Sequence, residues 1–406
     1  NGLVFGFKFF CHMTVFYIPE KRSAKLNFFV QFCNNFDIFA LMASLKKIIV
    51  QNFRNIAFAE LPFCPGINCV CGNNGQGKTN LLDAIHYLSI TRSALNTPDS
   101  FCIRHGEDSF SIAGEYLMHD GTVSRFVVNT GRDSKTVRKD DKVCRRLSEH
   151  IGTLPVVMVS PQDSSLVSES GEERRRFVNT VLSQMDSAYL AALQRYNRLL
   201  AQRNRLLKEA APDRALFEIT DVQMGEAGAV IMQCRQNFAE KLCTAVASYY
   251  SLLSGGAESV AISYRPEIKG GADAAVITAA LEDGLGKDFI LRFTSTGVQR
   301  DDFFFSMDGQ PIRRCGSQGQ QKSFLVALKL AQYDIMKAAY GFPPILLLDD
   351  VFDKLDFDRI ASLIKIVNSS GYGQIFLSDT NMERLKSVVG GIASEVTYIT
   401  ARNGEF

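Results

Sequence analysis

A glycine-rich stretch between Cys71 and Leu82, CGNNGQGKTNLL, has the residue types and the spacing that phosphate binding requires. From Gly72 to Thr79 it fits the pattern GxxxxGKT, in which glycines let the backbone turn its N–H groups inward and a helix begins with its positive dipole end at the phosphates. We predict that Lys78 bridges the β- and γ-phosphates of a nucleotide and that Thr79 ligates Mg²⁺. The six residues before Lys78 would cradle the phosphates: Gly72, Asn73, Asn74, Gly75, Gln76 and Gly77.

The sequence on either side supports this interpretation. Residues 66–71 form a short apolar run typical of a strand, and residues 80–88 carry apolar side chains at helical spacing. A chance glycine-rich turn is the alternative, but it would not explain the order of strand, loop and helix. Upstream, Arg54 lies between two predicted strands, 45–50 and 67–70, which would bring it near the nucleotide; a surface arginine is the equal alternative.

A second candidate set lies near the other end of the chain. Residues 345–348 are Ile-Leu-Leu-Leu, a continuous apolar run as a buried parallel strand requires, and Asp349 and Asp350 follow directly. Carboxylates at the carboxyl end of such a strand lie where α/β sheets bind ligands. We predict that Asp349 holds Mg²⁺ through water and that Asp350 orients the attacking water. A helix cap after a strand is the alternative, and it accounts for only one carboxylate.

The composition is that of an ordinary globular chain. Of 406 residues 46% are hydrophobic and 22% are charged, and the formal net charge of +2 neither indicates nor excludes a nucleic-acid partner. The ten cysteines include no CxxC pair, which favours buried free thiols in a reducing compartment over zinc ligands. No apolar run reaches the roughly 18 residues that a membrane span needs.

The first 41 residues differ from the rest of the chain. They contain 10 of its 30 phenylalanines, and charged residues interrupt each apolar run, unlike in a signal peptide. We interpret residues 1–41 as a non-native upstream extension, with an interfacial anchor as the alternative.

From Met42 onward the pattern of elements is regular. Asp-Gly turns at 120–121 and 308–309 predict β-hairpins, and residues 260–264 and 289–294 have strand character. Helical spacing dominates from Ser164 to about Ala245. We therefore divide the chain into an N-terminal head part, an inserted, mainly helical arm and a C-terminal head part, at residues 42–163, 164–288 and 289–406.

Basic residues of the arm fall into two groups. If Ser187–Glu209 is one helix, Arg195, Arg198 and Arg205 lie opposite its leucine-rich side. Arg203 falls among the leucines, where an unpaired guanidinium is unfavourable, so we expect an acidic partner or a facing chain. The second group precedes this helix and consists of Arg174, Arg175 and Arg176. A solvated helix face and local pairing with Glu172 and Glu173 are the respective alternatives.

Lys78 and Asp349 are 271 residues apart, so the two halves of one nucleotide site come from opposite ends of the chain. A split head of this kind resembles the ABC-type ATPase heads of the SMC and Rad50 group, and more closely the RecF family, from Met42 to about Val389. The motifs that carry the resemblance are GNNGQGKTNLLDAI at 72–85, PQDSSLVSESGEERRRFVN at 161–179, QRNRLLK at 202–208, SQGQQKS at 317–323 and LLLDDVFDKLD at 346–356.

The resemblance implies an α/β fold: an ABC-type P-loop ATPase head with an inserted helical arm. It also implies a cytoplasmic protein without a membrane partner that binds ATP and Mg²⁺ and dimerises with nucleotide between Lys78 of one head and the signature of the other. The signature positions are Ser317, Gln318, Gly319 and Gln320. RecF proteins clamp gapped or junction DNA and, with RecO and RecR, help to load RecA during repair. The resemblance therefore makes the two arginine groups described above candidate DNA contacts.

Two further positions bear on hydrolysis. Gln162 stands where related heads have the Q-loop residue that senses Mg²⁺ and the γ-phosphate. ABC heads place a switch histidine after the strand that follows Walker B, but Asp379 stands here, which favours a weak, slow ATPase. A transport ATPase and a DNA clamp that never hydrolyses ATP are the competing interpretations. A transporter would have a shorter insertion and a switch histidine, and Asp350 argues against the clamp.

Overall fold

The computed structural model describes residues 43–209, 213–256, 258–352, 371–390 and 395–406, together with Arg359, Leu363 and Ile366. The interpretation of residues 1–41 therefore concerns a segment outside the described residues.

A five-stranded parallel sheet forms the centre of the head, in the order β14-β3-β13-β12-β8. Its strands are Ile67–Cys71 (β3), Val156–Val159 (β8), Ile345–Leu348 (β12), Ile375–Asp379 (β13) and Val396–Thr400 (β14). All residues of the four strands other than β14 are buried, as the apolar run at 345–348 predicted. Since the strands come from both ends of the chain, the sheet joins the two halves of the head.

A six-stranded antiparallel sheet, in the order β2-β1-β4-β5-β6-β7, makes the second layer. Its strands are Ser44–Phe53 (β1), Ile56–Pro62 (β2), Ser109–Leu117 (β4), Val123–Gly131 (β5), Lys135–Lys139 (β6) and Lys142–Val143 (β7). The hairpin predicted at 120–121 is confirmed, since β4 and β5 pair on either side of that turn. Helix α1, Lys78–Ile90, packs its leucines against both sheets, and ten of its thirteen residues are buried.

The inserted segment is helical, as predicted. A short helix, Ser165–Ser168 (α3), precedes four longer ones: Gly171–Met185 (α4), Ser187–Leu206 (α5), Arg214–Ser254 (α6) and Ala274–Leu291 (α7). The short helix Asp99–Cys102 (α2) belongs to the N-terminal part of the head. With 41 residues, α6 is about 60 Å long at 1.5 Å per residue. It packs against α5 and α7 in the arm, and against the head through the later helix Gln318–Tyr340 (α9), so one helix connects the two parts.

A small third sheet, in the order β11-β10-β9, lies where arm and head meet. Its strands are Val260–Arg265 (β9), Asp302–Met307 (β10) and Gln310–Pro311 (β11). The turn between β10 and β11 confirms the hairpin predicted at 308–309. The described part of the head also contains the helices Ile312–Cys315 (α8) and Met382–Val389 (α10).

The strand predicted at 289–294 is wrong. Helix α7 continues to Leu291 and ends at Arg292, whose φ is +58°. The apolar residues there do not alternate between core and solvent: Phe289 and Ile290 are 42% and 84% exposed at the helix end. The division drawn after residue 288 thus falls inside α7, three residues before its end, because the apolar run was mistaken for the first strand of the head.

The eight described cysteines are free thiols, but the burial predicted for them holds only for Cys69, Cys71 and Cys102, and Cys315 is exposed. No described helix combines the length and the apolar character needed to cross a bilayer.

Candidate nucleotide-binding site

The glycine-rich loop joins the buried strand β3 to helix α1. Gly75 and Gly77 have φ values of +80° and +109°, in the region that favours glycine, and Gly77 is the residue before the first helical turn. Lys78 begins the helix, as predicted, and is 4% exposed. Its Nζ donates to the carbonyl oxygens of Gly72 and Asn73, at 2.9 and 3.3 Å. The ammonium group is therefore held against the concave side of the loop, where a phosphate would bind.

Thr79 and Asp349 meet across the site although 270 residues separate them. The Thr79 hydroxyl donates to the Asp349 carboxylate, at 2.8 and 3.1 Å to its two oxygens. A hydroxyl and a carboxylate beside a phosphate loop are oxygen ligands of the kind that Mg²⁺ prefers. Burial raises the pKa of the Asp349 carboxyl, and hydrogen bonds from Ser378 and Thr79 counteract this in part. Ser378, 2.6 Å from Asp349, is a contributor that the sequence did not single out.

Asp350 occupies a strained position next to the loop. Its φ is +45°, an uncommon backbone conformation for a non-glycine residue, and its N–H donates to the Ser378 hydroxyl at 3.0 Å. A carboxylate oxygen of Asp350 lies 3.9 Å from the Nζ of Lys78. The turn after β12 thus points Asp349 at Thr79 and Asp350 at Lys78, so both carboxylates face the phosphate loop.

The C-terminal turn supports the loop from outside, through a group we term the loop clamp: Asn55, Asn403 and Gly404. The N–H groups of Asn403 and Gly404 donate to the side chain and backbone oxygens of Gln76, at 2.5 and 2.9 Å. The side chain of Asn55 accepts a hydrogen bond of 2.7 Å from Asn80 in α1. Sequence reasoning missed these residues, and Asn403-Gly404 as a turn signal was the one local indication.

The signature residues lie at the start of α9, away from the loop of their own chain. Ser317 caps this helix: its hydroxyl accepts from the N–H of Gln320, and the Gln320 side chain accepts from the N–H of Ser317. Within the described residues, positions 317–320 make no hydrogen bond or ion pair to the phosphate loop. Ser317 and Gln318 at the start of this helix are exposed, and their contact with a nucleotide stays a prediction.

Gln162 follows β8, which pairs with β12, the strand that precedes Asp349 and Asp350. It lines a cavity of about 450 Å³ between α1, α4 and α9. It is exposed, whereas its neighbour Asp163 pairs with Lys329 of α9 at 2.7 Å. Its contact with a nucleotide stays a prediction.

Arg54 is anchored close to the first turns of α1. Its guanidinium pairs with the buried Asp83 at 2.9 Å and donates to the hydroxyls of Ser93 and Thr97. The neighbouring Asn55, rather than Arg54, reaches the helix next to the phosphate loop. A nucleotide contact by Arg54 stays a prediction.

The switch position holds an ion pair. Asp379 ends β13 and is 1% exposed, and its carboxylate accepts from the guanidinium of Arg384 at 2.6 and 2.8 Å. Its backbone carbonyl oxygen accepts from the N–H of Gly72, so the backbone of Asp379 adjoins the start of the loop.

The three arginines at 174–176 all contact other residues of the same chain. Arg174 is 9% exposed, pairs bidentately with Asp302 and donates to two backbone carbonyls. Four of the five N–H donors of this buried guanidinium are therefore engaged, which disfavours the DNA contact predicted for Arg174. Arg175 donates to the carbonyl of Asp301, and Arg176 pairs with Glu172 and Glu173, the pairing weighed as the alternative.

The arm arginines divide as the helical pattern predicted. Arg195, Arg198 and Arg205 are exposed, although Arg195 pairs with Glu226 at 2.9 Å. The acidic partner predicted for Arg203 is confirmed, since its guanidinium contacts Asp221 and Asp288 at 2.7 and 2.5 Å.

Comparison with known proteins shows which family this chain belongs to. The family model described as the RecF/RecN/SMC N terminal domain matches residues 44–398. The DNA replication and repair protein RecF of Parabacteroides distasonis is 41% identical over 361 residues, covering 89% of this chain and 98% of the relative. That of Bacteroides thetaiotaomicron is 42% identical over 362 residues, covering 89% and 97%. The chain belongs to the RecF family.

Solved structures agree. A structure of the recombination mediator protein RecF with ATP, in the RecFOR pathway, is 29% identical and superposes with a TM-score of 0.81, covering 90% of this chain and 97% of that one. An Smc head domain from Pyrococcus furiosus is 16% identical with a TM-score of 0.54 and shows the shared fold alone. The expectation of an ABC-type head with an inserted arm is thereby confirmed.

Proposed function

We propose that this RecF-family chain is an ATP-dependent DNA-binding protein that mediates recombinational repair and replication restart. The observation that carries the proposal is the meeting of Lys78, Thr79, Asp349 and Asp350 at one loop, from opposite ends of the chain. Family membership adds the biological setting, because the relatives are named for DNA replication and repair.

Each residue has a distinct role in this proposal. The loop N–H groups and Lys78 bind the phosphates of ATP. Thr79 and Asp349 hold Mg²⁺, which would neutralise charge on the transferring phosphoryl group. Asp350, beside Lys78, orients the attacking water. With Asp379 where related heads have a switch histidine, hydrolysis is slow, so that it times release.

The signature helix supplies the partner half of the site. Ser317 and the first N–H groups of α9 are not used by the loop of their own chain and would bind the nucleotide held by a second protomer. ATP thus closes two heads into a dimer around gapped, junction or duplex DNA. In this proposal the protein acts in the cytoplasm with RecO and RecR toward RecA loading, and the RecFOR pathway named for the structural relative supports the RecO and RecR partners.

Two observations separate this proposal from its alternatives. The long inserted arm and family membership do not favour a transport ATPase. A clamp that binds ATP without hydrolysing it differs from the proposal in the role of Asp350, whose conformation brings a carboxylate near Lys78.

The test is the variant Asp350→Asn, measured for ATP binding, turnover and dimer lifetime by size-exclusion chromatography with ATP or ADP. We expect ATP binding to persist and turnover to fall by a factor of about 10²–10⁴, because the water-orienting charge is lost while Asp349 remains. The closed dimer should then outlast that of the wild type. Unchanged turnover would assign this role elsewhere, and an absence of ATP-dependent dimers in the wild type would contradict the sandwich arrangement.

A further inference from the structure

The edge of the antiparallel sheet carries a concentration of positive charge. Between Arg132 and Arg146 seven residues are basic and three are acidic, a formal net charge of +4, whereas the whole chain has +2. We propose that this edge binds the phosphate backbone of duplex DNA, an inference that rests on the proposed function and names its contact surface. We call the residues that form it the basic edge: Arg138, Lys142, Arg145 and Arg146.

These four cations are exposed, and none has an ion pair among the described residues. Their neighbours differ: Arg132 pairs with Asp108 at 3.1 Å, and Lys135 pairs with Asp99 at 2.5 Å. The basic edge is therefore available to an external anion, in contrast to the occupied cluster at Arg174 to Arg176.

Pairing between β6 and β7 concentrates the charge further. Lys139 and Lys142 stand directly opposite each other in the register, an arrangement of like charges that destabilises a sheet. The turn between them is Asp140-Asp141, but the Asp140 carboxylate already accepts from the hydroxyl of Ser124 and the N–H of Arg125. Unfavourable pairing of like charges of this kind is expected of a surface that meets a polyanion.

Protection of a sheet edge explains only part of this charge. Lysines on a short edge strand discourage pairing with another chain, and Lys142 lies on such a strand. Arg145 and Arg146 come after β7 and protect no strand backbone.

The basic edge is separate from the nucleotide site. β6 is tied to the far end of α1, since Lys135 donates at 2.8 Å to the carbonyl of Thr91, the residue that ends this helix. The phosphate loop lies at the other end, about 20 Å away for thirteen residues. Substitutions in the basic edge should therefore leave ATP binding unchanged.

Duplex DNA fits this surface better than a membrane does. Arginine and lysine contact phosphates regardless of base sequence, and such contacts supply most of non-specific affinity. Membrane attachment would need a substantial exposed apolar face beside the charges. Between residues 132 and 146, Val143 is the large apolar side chain that is exposed, and one valine is too small an apolar surface to attach the protein to a membrane.

The test uses the full chain with Arg138→Gln, Lys142→Gln, Arg145→Gln and Arg146→Gln together. Binding of a fluorescent duplex is titrated with ATP at several salt concentrations. Each lost phosphate contact reduces the slope of log K against log salt by about 0.9, so the slope should flatten by up to roughly 3.6 and affinity should fall roughly tenfold or more. ATP affinity and Tm should match the wild type.

The matched control neutralises four arm residues, with Arg195→Gln, Arg198→Gln, Arg205→Gln and Lys208→Gln, and so has the same net charge. It should keep more of the wild-type slope. If the slope of log K against log salt flattens in the arm variant but not in the edge variant, the proposal is wrong and the arm is the DNA-binding surface.

Two more outcomes are decisive. If the edge variant keeps its DNA binding but no longer binds phosphatidylcholine vesicles that contain phosphatidylserine, the edge is a membrane surface and the proposal is wrong. If the wild type with ATP binds no duplex at all, the proposed function fails too, which distinguishes that failure from failure of the edge alone.

Discussion

Two buried cations, Lys78 in the head and Arg203 in the arm, have very different surroundings. Arg203 is fully buried and contacts two carboxylates, the Thr294 hydroxyl and the Leu281 carbonyl. Lys78 is nearly as buried, but it contacts two carbonyl oxygens of its own loop and a carboxylate only at 3.9 Å. The donors of Arg203 are saturated by the fold, whereas the charge of Lys78 is only partly compensated.

The difference separates a structural charge from a binding charge. Arg203 on α5 joins Asp221 on α6 to Asp288 on α7, so its pairs fix three helices relative to each other. Removing one partner of such a buried group leaves unpaired carboxylates, which is strongly unfavourable. Lys78 leaves little behind when removed, because carbonyl oxygens at the loop remain accessible to water. The comparison therefore predicts a loss of stability in one case and a loss of ligand binding in the other.

The largest expected effect comes from Arg203→Met, compared with Lys78→Met as its matched control. Arg203→Met should lower the free energy of unfolding by about 3–5 kcal/mol, because Asp221 and Asp288 would remain buried together without a cation. Lys78→Met should change stability little and abolish measurable ATP binding. Urea denaturation and titration with a fluorescent ATP analogue measure the two quantities.

A reversed pattern would break the comparison. If Arg203→Met unfolds at the same urea concentration as the wild type, the arm does not depend on its ion pairs. Retained ATP affinity in Lys78→Met would remove the phosphate-bridging role of this lysine.

A smaller effect is expected at the loop clamp, from Gly404→Ala. Gly404 has a φ of +83°, and a Cβ there would lie 2.3 Å from the carbonyl oxygen of Asn55. The turn must shift and release its hydrogen bond to Gln76, with a cost of about 1–3 kcal/mol for the strained backbone. ATP affinity should fall, because the loop loses its outer support.

Gly341→Ala is the matched control for this clash. Gly341 has a similar φ of +74°, but no atom lies within 4 Å of the added Cβ. It should reproduce the backbone strain without the loss of ATP affinity. Equal ATP affinities in both variants would show that the loop does not need the clamp.

The features predicted most reliably from the sequence are those that depend on residues close together in the chain. The phosphate loop is a contiguous motif, and the buried strand before Asp349 follows from an apolar run, so both were found where the structure has them. The clamp was missed because Gln76 and Asn403 are 327 residues apart. The partner of Arg203 was expected on grounds of burial, but its identity depends on how three helices pack. The false strand at 289–294 arose because exposed apolar residues at a helix end resemble a strand when burial is unknown.

The smallest expected effect concerns Asp349 and pH. Burial raises the pKa of this carboxyl above the value of 3.8 that applies to the unfolded chain. The folded protein thus binds the proton more tightly, so ionisation costs stability as pH rises from about 3.8 through the folded-state pKa, and the full cost is present above that pKa. Without nucleotide and Mg²⁺, Asp349→Asn should therefore be at least as stable as the wild type at pH 7, and the difference should shrink as pH falls toward 3.8.

This expectation has an opposite counterpart when ligand is present. Bound Mg²⁺ favours the ionised carboxylate, so the charge that lowers stability without ligand favours the binding of Mg²⁺ and ATP. Thermal unfolding across pH, with and without Mg²⁺ and ATP, measures the effect of the charge on stability in both conditions. Chelation by EDTA should weaken ATP binding in the wild type but not in Asp349→Asn. If the variant is less stable than the wild type at pH 7 without ligands, the hydrogen bonds from Thr79 and Ser378 outweigh burial, and Asp349 belongs with Arg203 among the structural charges.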